Sequence, residues 1–498
     1  MVELDGETLD IEKIYKISKG SEVTLSASAR KKVRDSRDNL DRLLRSGERI
    51  YGVNTGFGKL LDVDISSEEL EELQKNLVRS HSSGIGDPLS KEHVRAIIAV
   101  RINSLTKGYS GIRETVLDSS MEVLNKDLYP FVPSLGSVGA SGDLAPLAHI
   151  ALALMGEGEM IHGGKRIKAS DQLQKNGIKK VTLREKEGVA FINGTSAITG
   201  ILSYELFRAF DLIRGAICSS ALSFVAMKGN PDAFQPWISE VRRHKGQGKV
   251  SSALVSLIEG SSNIRARLQD AYSLRCTPQV FGAVYDTLSY ARSVAETEMN
   301  SVTDNPLIHG DEVISAGNFH GEPVALVSDF VSIALTDLGN MIERRIARIV
   351  DPALSGLPPF LTKHEGLNSG YMIPQYTAAA LCNMNKSLCY PSSADSIPTC
   401  ANQEDHVSMG MNSALKLSKI VDNLSSIVSI EFLLGSQAVE LSDAIPSEKI
   451  LKLKEEVRKI VRPLDTDRPP YVDIESIQRS LLEGDLGRLC HNLISKII

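Results

Sequence analysis

The chain has 498 residues, 42% hydrophobic and 24% charged, with a net charge of −6. That is an ordinary composition for a core-forming protein, and one this long can bury a core without disulfides or metals. The negative balance argues against nucleic acid or an anionic membrane as main partner, since both favour basic surfaces; 5% aromatics and one Trp suit a stacking-based binder poorly. Cys218, Cys276, Cys382, Cys389, Cys400 and Cys490 include no CxxC pair, so they read as reduced thiols. The acidic start, Met1 to Lys16, lacks the basic and apolar regions of a signal peptide. No run of about 18 or more apolar residues reads as a membrane span. A cytoplasmic protein is the expectation.

Residues 1–25 read as short strands and turns, with alternation at Val23-Thr24-Leu25. Ser26 to about Arg45 reads as a charged helix. Tyr51-Gly52-Val53-Asn54-Thr55-Gly56-Phe57-Gly58 is a glycine-rich loop with unusual backbone demands. Ser66-x-x-Glu69 reads as a capping box for a helix carrying Leu70, Leu73 and Leu77, ended by Gly84 and Gly86-Asp87-Pro88. A helix from about Ser90 to Lys107 turns Val94, Ile97, Ile98 and Leu105 inward. The small-residue loop Gly136-Ser137-Val138-Gly139-Ala140-Ser141-Gly142-Asp143 precedes an apolar helix, Leu144 to Leu154. Residues 158–183 read as a hairpin turning at Gly163-Gly164.

Long helices are predicted near 194–228, 283–302, 322–350, 373–389, 410–439 and 447–461. Several are apolar on more than one face, as in a bundle interior or an oligomer interface. The fold class is therefore mainly α. A long central helical bundle, 111–498, carries the small-residue loop and most candidate residues. A smaller mixed N-terminal domain, 1–110, carries the Tyr51 loop.

The 136–143 loop is the first candidate for chemistry. Its GxxGxxG spacing matches neither a P-loop nor a dinucleotide fingerprint. A plain turn with Asp143 as N-cap is one reading, and a phosphate cradle at a helix N-terminus is another. Ala-Ser-Gly permits a third. In a compressed turn the Gly142 amide nitrogen can attack the Ala140 carbonyl carbon, because glycine has no Cβ to block the approach. Loss of one water from that closure and one from the Ser141 side chain leaves a five-membered ring with an exocyclic methylidene. A helix N-terminus would favour electrons flowing into it.

Gly-Ser-Val-Gly-Ala-Ser-Gly-Asp-Leu-Ala-Pro-Leu-Ala-His, 136–149, resembles the signature of the aromatic amino acid ammonia-lyases and aminomutases. These carry the ring just described, 4-methylidene-imidazol-5-one (MIO). The resemblance spans nearly the whole chain, in order: Tyr51 to Gly58, Asn193-Gly194-Thr195, Gln269 with Tyr272-Ser273-Leu274-Arg275, Thr303-Asp304-Asn305-Pro306, Gly317-Asn318-Phe319-His320 and Asn402-Gln403-Glu404-Asp405-His406. It implies a carbon–nitrogen lyase whose MIO forms from Ala140, Ser141 and Gly142. No marker of a pyridoxal phosphate lysine is seen.

The resemblance also implies roles. Tyr51 would take the β-proton, although a phenol with a pKa near 10 needs a site that lowers it or a relay; on its own Tyr51 reads as a packed loop aromatic. Arg275 would hold the substrate carboxylate in its planar fork. Tyr272 and Gln269 would share its face at i, i+3, i+6 spacing if the segment is helical. Asn193 and Phe319 would contact the ring or the adduct; alone they read as an N-cap and a packing residue.

Ser80-His81 occupies the position where this family reads the side chain, and the pair resembles that of the histidine-specific members. His81 and Glu404 can hydrogen-bond an imidazole, and leaving them unpaired would reject phenylalanine. Met372 resembles a pocket position of the same members, though alone it reads as core filler. The implied reaction converts L-histidine to trans-urocanate and ammonia. A tyrosine or phenylalanine ammonia-lyase, or a 2,3-aminomutase, is the alternative; a non-catalytic scaffold would be expected to lack Ser141, Tyr51 or Arg275. The family also implies a homotetramer whose active sites draw on three subunits. His149, His320 and His406 show no metal spacing, and no metal is expected.

Overall fold

Ser90 caps the helix Lys91–Leu105, its hydroxyl accepting from the His93 backbone N–H at 3.2 Å. In the computed structural model, which describes every residue except 47–49, 51, 57, 59–61, 63, 64 and 67, this helix is buried from His93 onward. It is enclosed on all sides, where the sequence suggests one inward face. Two arginines go in with it. The Arg95 guanidinium donates to the carbonyls of Ile17 and Leu124 at 2.7 Å and of Ser21 at 3.2 Å. Those acceptors offset the cost of burying it.

Among the described residues there are twenty α-helices and four two-stranded sheets, so the fold is mainly α, as predicted. Val2–Leu4 pairs parallel with Val23–Leu25. Ile85–Pro88 pairs antiparallel with Pro133–Leu135, bringing the end of the helix Leu70–His81 near the chain that leads into the small-residue loop. The hairpin is Glu159–His162 with Lys165–Lys168. The predicted capping box does not form: the Ser66 hydroxyl donates to the Glu69 carboxylate at 2.7 Å, and Leu70–His81 begins without a side-chain cap.

The long helices are Ser196–Ala226, Thr277–Met299, Glu322–Val350, Met372–Leu388, Gly410–Leu441 and Glu448–Ile460. Thr277–Met299 starts six residues before its predicted start, because Pro278 is tolerated in a first turn. The helix Lys245–Ile258 has no counterpart in the sequence reading, masked by Gly246 and Gly248. A Cβ on Gly246 would lie 2.1 Å from the Gly282 carbonyl oxygen, so this glycine lets two helix backbones touch.

Three helices, Ser196–Ala226, Glu322–Val350 and Gly410–Leu441, are long and apolar enough to cross a membrane by length and composition, which corrects the sequence reading. Over their most apolar stretches 89%, 61% and 83% is buried inside the fold, so most of that surface is already packed against protein.

The chain forms two compact units. The first is Met1–Phe207 with Ala291–Asp329 and Pro391–Leu415; the second is Arg208–Tyr290 with Phe330–Tyr390 and Lys416–Ile498. All four sheets belong to the first unit. The second contains a buried ion pair, Arg345 with Glu431 at 2.6 Å.

Candidate active site

Gly142 has φ +76, and a Cβ there would lie 2.2 Å from the Gly194 carbonyl oxygen. Only glycine fits at this place. The contact is backbone to backbone: Asp143 N–H donates to the Gly194 carbonyl at 2.7 Å, and Gly194 N–H donates to the Ser141 carbonyl at 3.2 Å. Gly139 and Gly142 also pair across the reversal, so Ala140 and Ser141 form its tip.

Asp143 stands at the N-cap position of Leu144–Leu154 but does not cap it. Its Oδ2 instead accepts from Ala197 N–H at 2.7 Å and Ile198 N–H at 2.8 Å, the first turn of Ser196–Ala226. Asn193, read alone as an N-cap, terminates Glu187–Ile192. Asp143 fills the capping place three residues later. Burial pushes the Asp143 carboxyl up to about 7, against the Ile198 and Ala197 N–H groups and the Arg101 charge, which pull it down. Its Oδ1 has no hydrogen-bond partner among the described residues.

Charged groups are sealed behind this turn. Lys186 and Asp304 form an ion pair at 2.6 Å with both side chains fully buried. Arg101, fully buried, donates to the Ala190 carbonyl and to the Ser196 hydroxyl. Thr195 donates to Glu298 at 2.5 Å, and burial raises the Glu298 carboxyl. Charges held this way cannot relax around solvent, so they hold the 193–195 segment against Gly142.

In front of the turn is a cavity of about 480 Å³. Leu73, Leu77, Leu144, Val189 and Ile192 supply apolar wall; Ser80, His81, Ser141, Asn193 and Glu404 supply polar groups. The Ser141 hydroxyl donates to Glu404 Oε1 at 3.0 Å, and the Thr399 hydroxyl donates to Oε2 at 2.6 Å. Thr399 and Glu404 also pair backbone to backbone, at 2.7 and 3.3 Å. They close a turn in which Cys400, Ala401 and Asn402 all have positive φ. Non-glycine residues in that region cost about 1–3 kcal/mol each and persist where the surroundings over-determine them.

His81 ends the helix Leu70–His81. Its Nδ1 lies 2.8 Å from the Leu77 carbonyl oxygen. A carbonyl only accepts, so Nδ1 carries the proton and Nε2 is the accepting nitrogen of the neutral ring. Burial lowers its pKa, opposed by the Leu77 carbonyl and by Glu404. Asn193 is buried, and its Oδ1 has no partner among the described residues.

The structure therefore brings Ser141, His81, Asn193 and Glu404 around one cavity. Ala140 and Gly142 flank Ser141 in the same turn. Phe319 is half-buried in the turn before Glu322–Val350 and is not part of the cavity wall. Tyr51 lies outside the described residues. Gln269, Tyr272, Arg275 and Met372 belong to the second unit. Tyr272–Arg275 is a single helical turn, with the Arg275 guanidinium 4.6 Å over the Tyr272 ring. Gln269 lies ahead of that turn in non-helical chain, so the shared helical face extends only to Tyr272 and Arg275. Met372 opens the helix Met372–Leu388.

Sequence reading missed Thr399, Arg101, Lys186 and Glu298. Arg101 carries a signal, a charge inside the apolar run Val94 to Leu105. Lys186 and Glu298 carry none, because their partners are 118 and 103 positions away; Thr399 is five residues from Glu404, but the turn that brings them together has no glycine to mark it.

A model of the aromatic amino acid lyase family matches residues 9–462. The chain belongs to this family. Like other aromatic amino acid lyases, it is a carbon–nitrogen lyase. It is 55% identical over 491 residues to a probable histidine ammonia-lyase of Thermoplasma volcanium, covering 98% of this chain and 99% of that one. Its structure resembles the crystal structure of histidine ammonia-lyase from Trypanosoma cruzi, with TM-score 0.93 and 39% identity over 99% of this chain and 95% of that one. It also resembles a tyrosine aminomutase from Streptomyces globisporus, with TM-score 0.94 and 37% identity over 99% and 98%. Near-equal likeness to a lyase and a mutase means that the lyase fold alone does not choose the reaction.

Proposed function

We propose that this aromatic amino acid lyase eliminates ammonia from L-histidine to give trans-urocanate, as a histidine ammonia-lyase. The observation that carries the reading is His81 and Glu404 in one cavity with Ser141. An imidazole has one N–H and one lone pair. Neutral His81 offers an accepting Nε2 and Glu404 offers carboxylate oxygens, so the single ring N–H of an imidazole can donate to one or the other, whereas phenylalanine has no N–H and would leave both unpaired. The names of the relatives at 55% and 39% identity support the same substrate.

The turn fits the MIO group that the family resemblance implies. Gly142 has no room for a side chain, because the backbone of Gly194 lies where its Cβ would be. The ring would comprise the Ala140 carbonyl carbon, the Ser141 nitrogen, Cα and carbonyl carbon, and the Gly142 nitrogen. Two waters leave. When formed, it supplies an electrophilic carbon that captures the substrate amine and makes ammonia a leaving group. Loss of the Ser141 hydroxyl also removes the partner of Glu404 Oε1. Thr399 keeps Oε2 in place, so Oε1 becomes an acceptor already aimed into the cavity. Asn193, with an unpartnered Oδ1, adds a polar contact at the same wall.

The reading assigns the β-proton to Tyr51 and the substrate carboxylate to Arg275, with Tyr272 and Gln269 beside it. It places the enzyme in the cytoplasm as a homotetramer in which these residues serve the cavity of another copy. Tyr272 is 71% exposed in the single chain, as a residue offered to a neighbour would be.

The test is one assay with L-histidine, L-tyrosine and L-phenylalanine, following the acrylate chromophore and released ammonia together. A rise with histidine alone is expected. A rise with tyrosine or phenylalanine would overturn the pocket reading, and a β-amino acid product would make the protein an aminomutase.

A further inference from the structure

The buried ion pair of the second unit reaches one residue whose neighbours carry the proposed carboxylate site. Arg345 Nε and Nη2 donate to the two oxygens of Glu431 at 2.6 and 3.1 Å. Glu431 also accepts the hydroxyls of Ser219 at 2.6 Å and Ser223 at 3.1 Å. Both members of the pair are essentially without solvent contact. The guanidinium carbon lies 5.1 Å over the Phe281 ring. The remaining nitrogen, Nη1, donates to the Ser273 carbonyl at 3.2 Å.

Ser273 is in the turn Tyr272–Arg275. That turn is one of the shortest helical segments in the chain, four residues without a side-chain cap. Its own hydrogen bonds are few: Arg275 N–H and Leu274 N–H return to the Ala271 carbonyl at 3.1 and 3.0 Å, Cys276 N–H to Tyr272 at 2.8 Å, and the Thr277 hydroxyl reaches the Leu274 and Ser273 carbonyls at 3.0 and 3.3 Å, so Arg345 shares the Ser273 carbonyl with Thr277. An isolated turn of this length has no stability of its own. Fixing its Ser273 carbonyl from within the core fixes the direction in which Tyr272 and Arg275 leave the backbone. Arg275 then aligns itself further, its Nε donating to the Asp270 carbonyl at 3.0 Å and its plane resting on Tyr272.

A buried ion pair is a poor source of net stability, since apolar residues of similar volume serve as well or better. Its use is geometric. We propose that Arg345 is a positioning residue for substrate carboxylate binding: held rigid by Glu431, Ser219 and Ser223, it anchors the Ser273 carbonyl and thereby sets Tyr272 and Arg275. This rests on the reading that Arg275 binds the carboxylate. Arg345 touches no substrate; it acts through the turn.

The test uses full-length enzyme. Arg345→Met alone would strand a buried carboxylate and could unfold the chain, so it is paired with Glu431→Gln, whose amide oxygen can accept one serine hydroxyl while its NH2 donates to the oxygen of the other. The paired variant is expected to keep its melting temperature and oligomeric state. Its KM for L-histidine should rise about tenfold or more with a smaller change in kcat, a pattern of lost ground-state binding. The inhibition constant of D-histidine, which carries the carboxylate, should rise in parallel, and that of imidazole, which lacks it, should not. Arg275→Gln, run beside it, should raise the same KM. If Arg275→Gln raises KM and the paired variant does not, the positioning role is wrong and the carboxylate reading stands. If Arg275→Gln leaves KM unchanged, the carboxylate reading falls and the positioning role with it.

Discussion

Ser141 and Glu404, 263 positions apart in the chain, are joined by a 3.0 Å hydrogen bond at the wall of one cavity. The bond connects the residue that would become the electrophile with a carboxylate that would read the substrate. Thr399 holds the other oxygen of Glu404 at 2.6 Å, so the carboxylate keeps its aim when the serine hydroxyl is gone.

Glu404→Gln should keep the shape and lose the charge. We expect kcat/KM for L-histidine to fall by about 10² or more, as for loss of a charged hydrogen-bond partner in a closed site. The melting temperature should move by only a few degrees, since Glu404 is half-exposed in the single chain. Steady-state kinetics and a thermal melt on one preparation check this; equal losses in both would make Glu404 structural.

His81 must be neutral for Nε2 to accept. Burial lowers its pKa from the ordinary value near 6.5. The accepting form therefore persists through neutral pH and is lost only in more acidic solution. The acid limb of kcat/KM should contain a group titrating below about 6.5. His81→Asn should remove that group while leaving the limb due to the substrate's own imidazole. A limb identical in both proteins would exclude His81 from the substrate contact.

Asp143 gives a stability prediction with a definite sign. Its folded pKa, about 7, is raised above the ordinary carboxylate value by burial. The folded chain then holds a proton that the unfolded chain has released, so stability falls as pH rises from about 4 to about 7. Between pH 5 and 8 this group should cost about 2–3 kcal/mol. Asp143→Asn can still accept from Ala197 and Ile198 through one oxygen, since both bonds now end on Oδ2. Its urea midpoint should be flatter over that range than that of the wild type. Parallel pH curves would mean that Asp143 stays ionised when buried.

The long helices were legible because their apolar positions repeat over many turns. Glu322–Val350 falls on its predicted bounds, and Ser196–Ala226 lies two residues inside at each end. What joins them was not. Asp143 has the type and place of an N-cap, and it is one, but for a helix that starts 53 residues later in the chain. A local rule finds the chemistry of a cap and assigns it to the adjacent helix. Glu404 was legible only by family resemblance; the Thr399 and Ser141 bonds that aim it depend on a turn of three residues with positive φ, none of them glycine. Lys186 and Asp304, 118 positions apart, leave no pattern in sequence, because either alone reads as a surface charge.

The central claim is that Ala140, Ser141 and Gly142 become the electrophile, and an intact mass with peptide mapping of that segment tests it most directly. The wild-type segment should weigh two waters less than its sequence, and Ser141→Ala should keep the amino group-binding cavity and the fold but show no such loss and no turnover. A wild-type preparation that releases ammonia from L-histidine while this segment has its unmodified mass would contradict the account.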